Sequence, residues 1–189
     1  SDEWKDKLKD FSTTMVQQID TLTRIANAFS DFASLNIQSP ENCYIKEEIK
    51  RVAHLFKNHN VKIIISEDLQ NYNPQAFIDK SHLTRVLNNL ITNSLQAARP
   101  NVPIQVEVQL KANHNNCKIL VIDNGAGISG SIKNKIFEPN FTTKNSGMGL
   151  GLAIVKEIVN NFKGTINYKT TNTGTVFEIT IPTIKNQKK

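Results

Sequence analysis

A chain of 189 residues has room for one ordinary domain and an appendage, and 39% hydrophobic content excludes wholesale disorder. The net charge of +6 is dispersed, with one dense cluster at 185–189, so it reads as a solvated surface and no nucleic-acid partner is expected. No run reaches the roughly 18 apolar residues of a membrane-spanning helix, and no signal-peptide pattern opens the chain. The expectation is therefore a soluble chain, with any membrane anchor in segments outside it. Cys43 and Cys117 lie far apart without metal-ligand spacing, and His54, His59, His82 and His114 are scattered, so reduced thiols and no His/Cys metal site are expected.

Residues 4–35 carry one apolar stripe, Leu8, Phe11, Met15, Ile19, Leu22, Ile25, Phe29 and Phe32, at spacings of three and four. Nothing breaks this long amphipathic helix before Pro40, and such a stripe needs a partner: a bundle, a dimer mate or its own domain. Beyond Ser39-Pro40 the texture changes. Ile45, Ile49, Val52 and Phe56 predict a short helix, and 61–66 a β-branched strand. Ser81 is the expected cap of a second helix running to Ala98 and ending before Pro100. Ile104, Val106, Val108 and Leu110 alternate as in a half-buried strand, and 118–123 reads as a more continuously apolar one. A helix is predicted over 151–162. An antiparallel pair follows over 164–169 and 175–182, with Phe177, Ile179 and Ile181 on one face and a turn around Asn172-Thr-Gly174. The sum is an α+β two-layer sandwich, a mostly antiparallel mixed sheet with helices on one face, preceded by the long helix.

Four segments carry the candidate chemistry. In Asn89-Leu-Ile-Thr-Asn93 the two amides share one helix face, and an amide oxygen can complete the oxygen shell of Mg²⁺. Alone, an N-x-x-x-N pair is more often two surface amides. Asp123 ends an apolar strand before Asn124-Gly-Ala-Gly127, where a carboxylate can accept from the exocyclic amine of adenine and glycines let backbone approach a flat base. Standing alone, the same residues form an ordinary Asp-Asn-Gly turn. Phe137-Glu-Pro-Asn-Phe141 offers two rings that anchor a loop or simply pack in the core, and Lys144 beyond them can reach a phosphate. Gly147-Met-Gly-Leu-Gly-Leu152 opens a helix whose free amides and dipole suit phosphate, yet it has neither the P-loop Lys nor the third dinucleotide glycine.

In this order, within about sixty residues, the four segments resemble the N, G1, F and G2 boxes of the sensor histidine-kinase catalytic domain. That domain shares a superfamily with DNA gyrase B, MutL and the Hsp90-type chaperones. The resemblance covers about residues 40–184 and implies the Bergerat ATP-binding sandwich over 39–189, with ATP and Mg²⁺ as ligands. It implies that Asn93 binds Mg²⁺, that Asn89 assists at the phosphates, and that Asp123 reads adenine beside Ala97, Gly125, Gly127 and Thr175. By the same resemblance, Phe137, Lys144, Gly147, Met148, Gly149, Leu150 and Gly151 belong to the loop and lid around the nucleotide.

Residues 1–38, with Ile19-Asp-Thr-Leu and Phe29-Ser-Asp-Phe-Ala, look like the second helix of the dimerisation and histidine-phosphotransfer hairpin, which implies a homodimer in full length. Asn93-Ser-Leu-Gln-Ala-Ala98 resembles the nitrogen-regulation (NtrB/NtrY-like) type, whose members imply a cytoplasmic domain of a membrane-anchored bacterial sensor kinase. Two departures stand out. Where the superfamily's ATPases carry a glutamate base four residues before the Mg²⁺ asparagine, this chain has Asn89, so rapid hydrolysis is not expected. The His-Glu-x-x-Asn-Pro-like phosphoacceptor box is missing, so the chain is expected to begin after it. The implied function is transfer of the ATP γ-phosphate to a histidine outside this chain and onward to a response regulator. The alternatives are a nucleotide-responsive, non-catalytic interaction module and an anti-sigma-type serine kinase.

Overall fold

A computed structural model describes residues 3–33, 39–65, 69, 72–113, 115–143 and 148–184. The chain divides into two compact units, Ser1–Ile37 and Gln38–Lys189. In the first, α1 spans Glu3–Ala33 as one uninterrupted helix of 31 residues. Trp4, Leu8, Phe11, Met15, Val16, Ile19 and Leu22 stand 48–64% exposed along it. The side chains of Ile25, Phe29 and Phe32, expected in the same stripe, lie outside the described set, as do residues 34 and 35.

The second unit runs β1 (Glu41–Tyr44), α2 (Ile45–Leu55), β2 (Val61–Ile65), β3 (Gln75–Ile78), α3 (Lys80–Leu95), β4 (Val106–Ala112), β5 (Asn116–Asp123), α4 (Gly151–Asn161), β6 (Thr165–Thr171) and β7 (Gly174–Pro182). A 3-10 helix, Gly130–Lys135, lies between β5 and α4. The main sheet has five strands in the order β2-β4-β5-β7-β6. Only β2 and β4 pair in parallel, which demands a long crossover, and α3 lies in it. The remaining pairs are antiparallel. The strands β1 and β3 form a separate two-stranded sheet that sequence periodicity does not reveal, since four residues give no alternation to read.

One sheet face makes the core. Val106, Val108 and Leu110 of β4, Cys117, Ile119 and Val121 of β5, and Phe177, Ile179 and Ile181 of β7 are buried on alternate positions. The strand expected to be continuously apolar therefore alternates too, because Leu120 and Ile122 turn half-exposed to the opposite face. Against the buried face pack α2, α3 and α4, with α3 between the other two. Helix α3 contributes Leu83, Val86, Leu87, Leu90 and Ile91, and α4 contributes Ile154, Val155, Ile158 and Val159. Buried Glu48 joins α2 to α3 by accepting from Arg51 and from Thr84. Burial works to raise the Glu48 pKa, but the Arg51 and Thr84 hydrogen bonds outweigh it and hold the carboxyl below its ordinary value.

Both ends of α3 differ from expectation. Asp79, not Ser81, caps it: the carboxylate accepts from the Ser81 amide at 2.8 Å, the His82 amide at 3.2 Å and the Ser81 hydroxyl at 2.6 Å. A carboxylate has the lone pairs to hold several donors at once, which a single hydroxyl cannot match. At its other end α3 stops at Leu95 rather than Ala98. The Ala97 carbonyl instead accepts from the Ala126 amide at 2.8 Å, drawing the chain out of the helix and toward the β5 turn.

Candidate nucleotide-binding site

The end of α3, the end of β5, the start of β7 and the start of α4 converge on one side chain and one close packing contact. The side chain is Asp123, 7% exposed at the last position of β5. Its Oδ1 accepts from the Gly125 amide at 2.9 Å and the Thr175 amide at 3.1 Å, and its Oδ2 accepts from Ser94 Oγ at 3.0 Å. These donors are neutral, so the carboxylate is oriented by hydrogen bonds and not spent in an ion pair with them. A buried carboxylate held this way is a strong acceptor for one further N–H donor.

Beside it, Gly125 lies so close to the segment that follows α3 that a Cβ would sit 2.6 Å from the Ala97 carbonyl oxygen and 2.7 Å from the Ala97 Cβ. No other residue permits this approach. Gly127 takes φ 72° next to Thr171, and the following amide, that of Ile128, donates to Thr170 Oγ1 at 2.8 Å. Thr170 Oγ1 in turn lies 3.2 Å from Thr175 Oγ1, so both hydroxyls belong to one polar cluster under the turn. Asn124 is turned away: its Nδ2 donates to the Pro103 carbonyl at 3.0 Å and its Oδ1 accepts from the Gln105 amide at 2.8 Å.

The packing contact joins α3 to α4. Asn89 donates from Nδ2 to the Arg85 carbonyl at 3.0 Å, and a Cβ on Gly151 would lie 2.8 Å from Asn89 Oδ1. The first residue of α4 therefore rests directly on the Asn89 amide. Leu150, the N-cap, supplies no side-chain hydrogen bond, which leaves the first amides of this 11-residue helix without a side-chain cap. Such a helix start, next to paired amides on α3, is suited to phosphate oxygens. Asn93 lies half-buried on α3 one turn beyond Asn89. Its amide oxygen belongs to a donor class that fits Mg²⁺ when phosphates and water complete the shell.

Gly149 has φ 68°, and a Cβ there would meet the Asn140 and Phe141 backbone at 2.5 Å, so the glycine-rich segment is pressed against the end of the Phe137–Phe141 segment. Met148 and Leu150 are half-buried nearby in sequence, whereas Lys144 and Gly147 lie outside the described residues. Phe137 is half-buried. Its ring meets Tyr168 edge-on at 6.0 Å, Lys156 Nζ lies 5.9 Å from its centroid, and Tyr168 continues to Phe177 at 5.9 Å.

Sequence reasoning missed Ser94 and Thr170. Ser94 had a signal: it interrupts the core stripe Leu83, Leu87, Leu90 with a hydroxyl, and a buried hydroxyl must find a partner. Thr170 had none, since an edge-strand threonine is ordinary. A separate groove of about 330 Å³, lined by Pro40, Phe77, Phe162 and Pro182 among others, sits at the opposite ends of α3, α4 and β7.

A family model described as histidine kinase-, DNA gyrase B-, and HSP90-like ATPase matches residues 78–185, which include every element of this site. The C4-dicarboxylate transport sensor protein DctB of Rhizobium meliloti is 36% identical over 107 residues, 57% of this chain and 17% of that protein. The nitrogen regulation protein NtrY of Azorhizobium caulinodans is 28% identical over 158 residues, 81% of this chain and 20% of that protein. The chain thus spans about a fifth of the length of these curated relatives. Among solved structures, the catalytic domain of histidine kinase ThkA is similar with a TM-score of 0.66 and 27% identity, covering 76% of this chain and 95% of that one.

Proposed function

The chain belongs to the histidine kinase-, DNA gyrase B-, and HSP90-like ATPase family, and from that premise we propose that it is the ATP-binding catalytic part of a two-component sensor protein-histidine kinase. The observation that carries this is Asp123, buried and held by the Gly125 and Thr175 amides and by Ser94. It is the acceptor for the adenine amine, with Ala97 and Gly125 flanking the base. Asn93 supplies an oxygen to Mg²⁺, and the metal when bound neutralises charge on the phosphates. Asn89 and the first turn of α4 hold phosphate oxygens, with Gly149, Leu150 and Met148 in the covering segment.

Asn89 decides between hydrolysis and transfer. Its amide is a poor base, donates to the Arg85 carbonyl and packs on Gly151, so it does not activate water. Phosphoryl transfer needs positioning and charge stabilisation rather than a strong base. On this proposal an imidazole nitrogen outside this chain attacks the γ-phosphorus. An N–P bond forms, the Pγ–O bond to the β-phosphate breaks, ADP leaves, and the imidazole proton passes to solvent. The phosphoryl group then moves to an aspartate of a response regulator.

The exposed apolar stripe of α1 supports its assignment as the second helix of a dimerisation hairpin, through which the full-length protein is a homodimer. The nitrogen-regulation type, and with it a cytoplasmic placement behind a membrane anchor, is supported by the Asn93–Ala98 segment and the NtrY similarity.

The test is calorimetric titration with ATP and GTP, each with and without Mg²⁺, followed by addition of a histidine-bearing hairpin in trans. Adenine-selective, Mg²⁺-assisted binding and an acid-labile phosphoryl group on the added hairpin are expected. An acid-stable product indicates a serine kinase, and binding without transfer indicates a nucleotide-responsive module.

A further inference from the structure

The stripe of α3 that carries Asn93 and Asn89 continues one turn further, to Arg85, at the i, i+4, i+8 spacing that keeps three side chains on one helix face. The base end of the site is set by Ser94 and Ala97, which touch Asp123 and approach Gly125. From Ser94 back to Arg85 the helix rises by about 13 Å, at roughly 1.5 Å per residue, comparable with the span of an extended nucleoside triphosphate. The phosphate-binding start of α4 lies level with Asn89, since Gly151 rests on its amide. Moving along α3 away from the base, the next turn after those amides is that of Arg85.

We propose that Arg85 grips the terminal phosphate, and so lets the site tell a nucleoside triphosphate from a diphosphate. The assignment rests on the nucleotide reading above. The planar guanidinium fits two oxygens of one phosphoryl group at once, where Asn89 and the helix amides offer single donors. Arg85 is half-buried, and that burial holds its pKa below the ordinary guanidinium value. Its carbonyl accepts from Asn89 Nδ2, which ties the two positions into one unit.

The experiment is titration of the whole chain with ADP and with a non-hydrolysable ATP analogue, for wild type, Arg85→Gln and Arg85→Lys. Gln keeps most of the stem and removes the charge, so triphosphate affinity is expected to fall about tenfold to a hundredfold while ADP changes by less than about threefold. Lys keeps the charge without the fork and is expected to fall between the two. ADP binding certifies the fold of each variant. Equal losses for both nucleotides, or no loss for either, overturn the proposal and leave Arg85 as a packing residue. A wild-type chain that binds neither nucleotide overturns the function proposed above, and the inference with it, before any variant is made.

Discussion

Replacing Asp123 by Asn tests the base-recognition assignment with the fold kept intact. The Asn carbonyl oxygen takes the place of Oδ1 and still accepts from the Gly125 and Thr175 amides. The new NH₂ takes the place of Oδ2, and the Ser94 hydroxyl rotates from donor to acceptor. No buried partner is orphaned, so a folded protein is expected by circular dichroism. What changes is the group facing the base: an acceptor becomes a donor, set against the donating amine of adenine. Losing one charge-assisted hydrogen bond costs about 1.5–3 kcal/mol, which is a rise of about tenfold to 150-fold in Kd. Inosine triphosphate carries a carbonyl where adenine carries its amine, so it gains a partner in the variant. Calorimetry with both nucleotides is therefore expected to show ATP weakened and the ATP-to-ITP preference reversed. Unchanged ATP affinity in a folded Asp123→Asn protein, or parallel losses for both nucleotides, refutes the assignment.

Asn93→Ala is expected to weaken Mg²⁺-ATP far more than metal-free nucleotide, and equal losses in the two titrations count against its role as metal ligand. Gly125→Ala places a Cβ 2.6 Å from the Ala97 carbonyl; overpacking of this kind costs about 1–3 kcal/mol in urea unfolding, with nucleotide binding lost in step. Leu87→Ala, at a fully buried position of α3, is expected to cost about 2–5 kcal/mol. Asp79→Ala removes the α3 cap at a cost of about 1 kcal/mol near neutral pH. Burial works to raise the Asp79 pKa, but hydrogen bonds from Ser81, Ser39 and His82 outweigh it and lower the pKa from 3.8 to about 2. A depressed carboxyl stabilises the fold fully above its unfolded value. The gap between wild type and variant should therefore narrow as pH falls from about 4 toward about 2, and a gap constant across that window contradicts the cap's charge.

Much of the fold is written in local periodicities. The alternation in β4 and β7 and the apolar stripe of α4 can each be read from the chain, because each records which side of one element meets the core, while the three- and four-residue spacing of α1 marks a helix whose described stripe stands exposed. The four candidate segments are legible for a related reason: their chemistry depends on short spacings such as Asn89 to Asn93, or glycines next to a carboxylate. Local pattern fails where a partner is distant or an element is short. The strands β1 and β3 were invisible because each of their four residues gains its identity from the other strand. Asp79 displaced Ser81 as cap because the choice turns on how many donors one side chain can hold, and one of them, the Ser39 amide, is 40 residues away.

The site divides in the same way. Four short segments, through their resemblance to the histidine-kinase boxes, propose Asn89, Asn93, Asp123 and the glycines as the candidate set. Their assembly depends on bonds that span the sequence: Ser94 reaches Asp123 across 29 residues, and the Thr175 amide reaches it across 52. The contact of Gly151 with Asn89 likewise exists only once α4 packs on α3. A single sequence carries side-chain chemistry and its period, but a hydrogen bond between separate elements is fixed by packing of the whole sheet-and-helix layer. That is why short motifs carry the family resemblance, while the hydrogen bonds that orient Asp123 appear only in the folded protein.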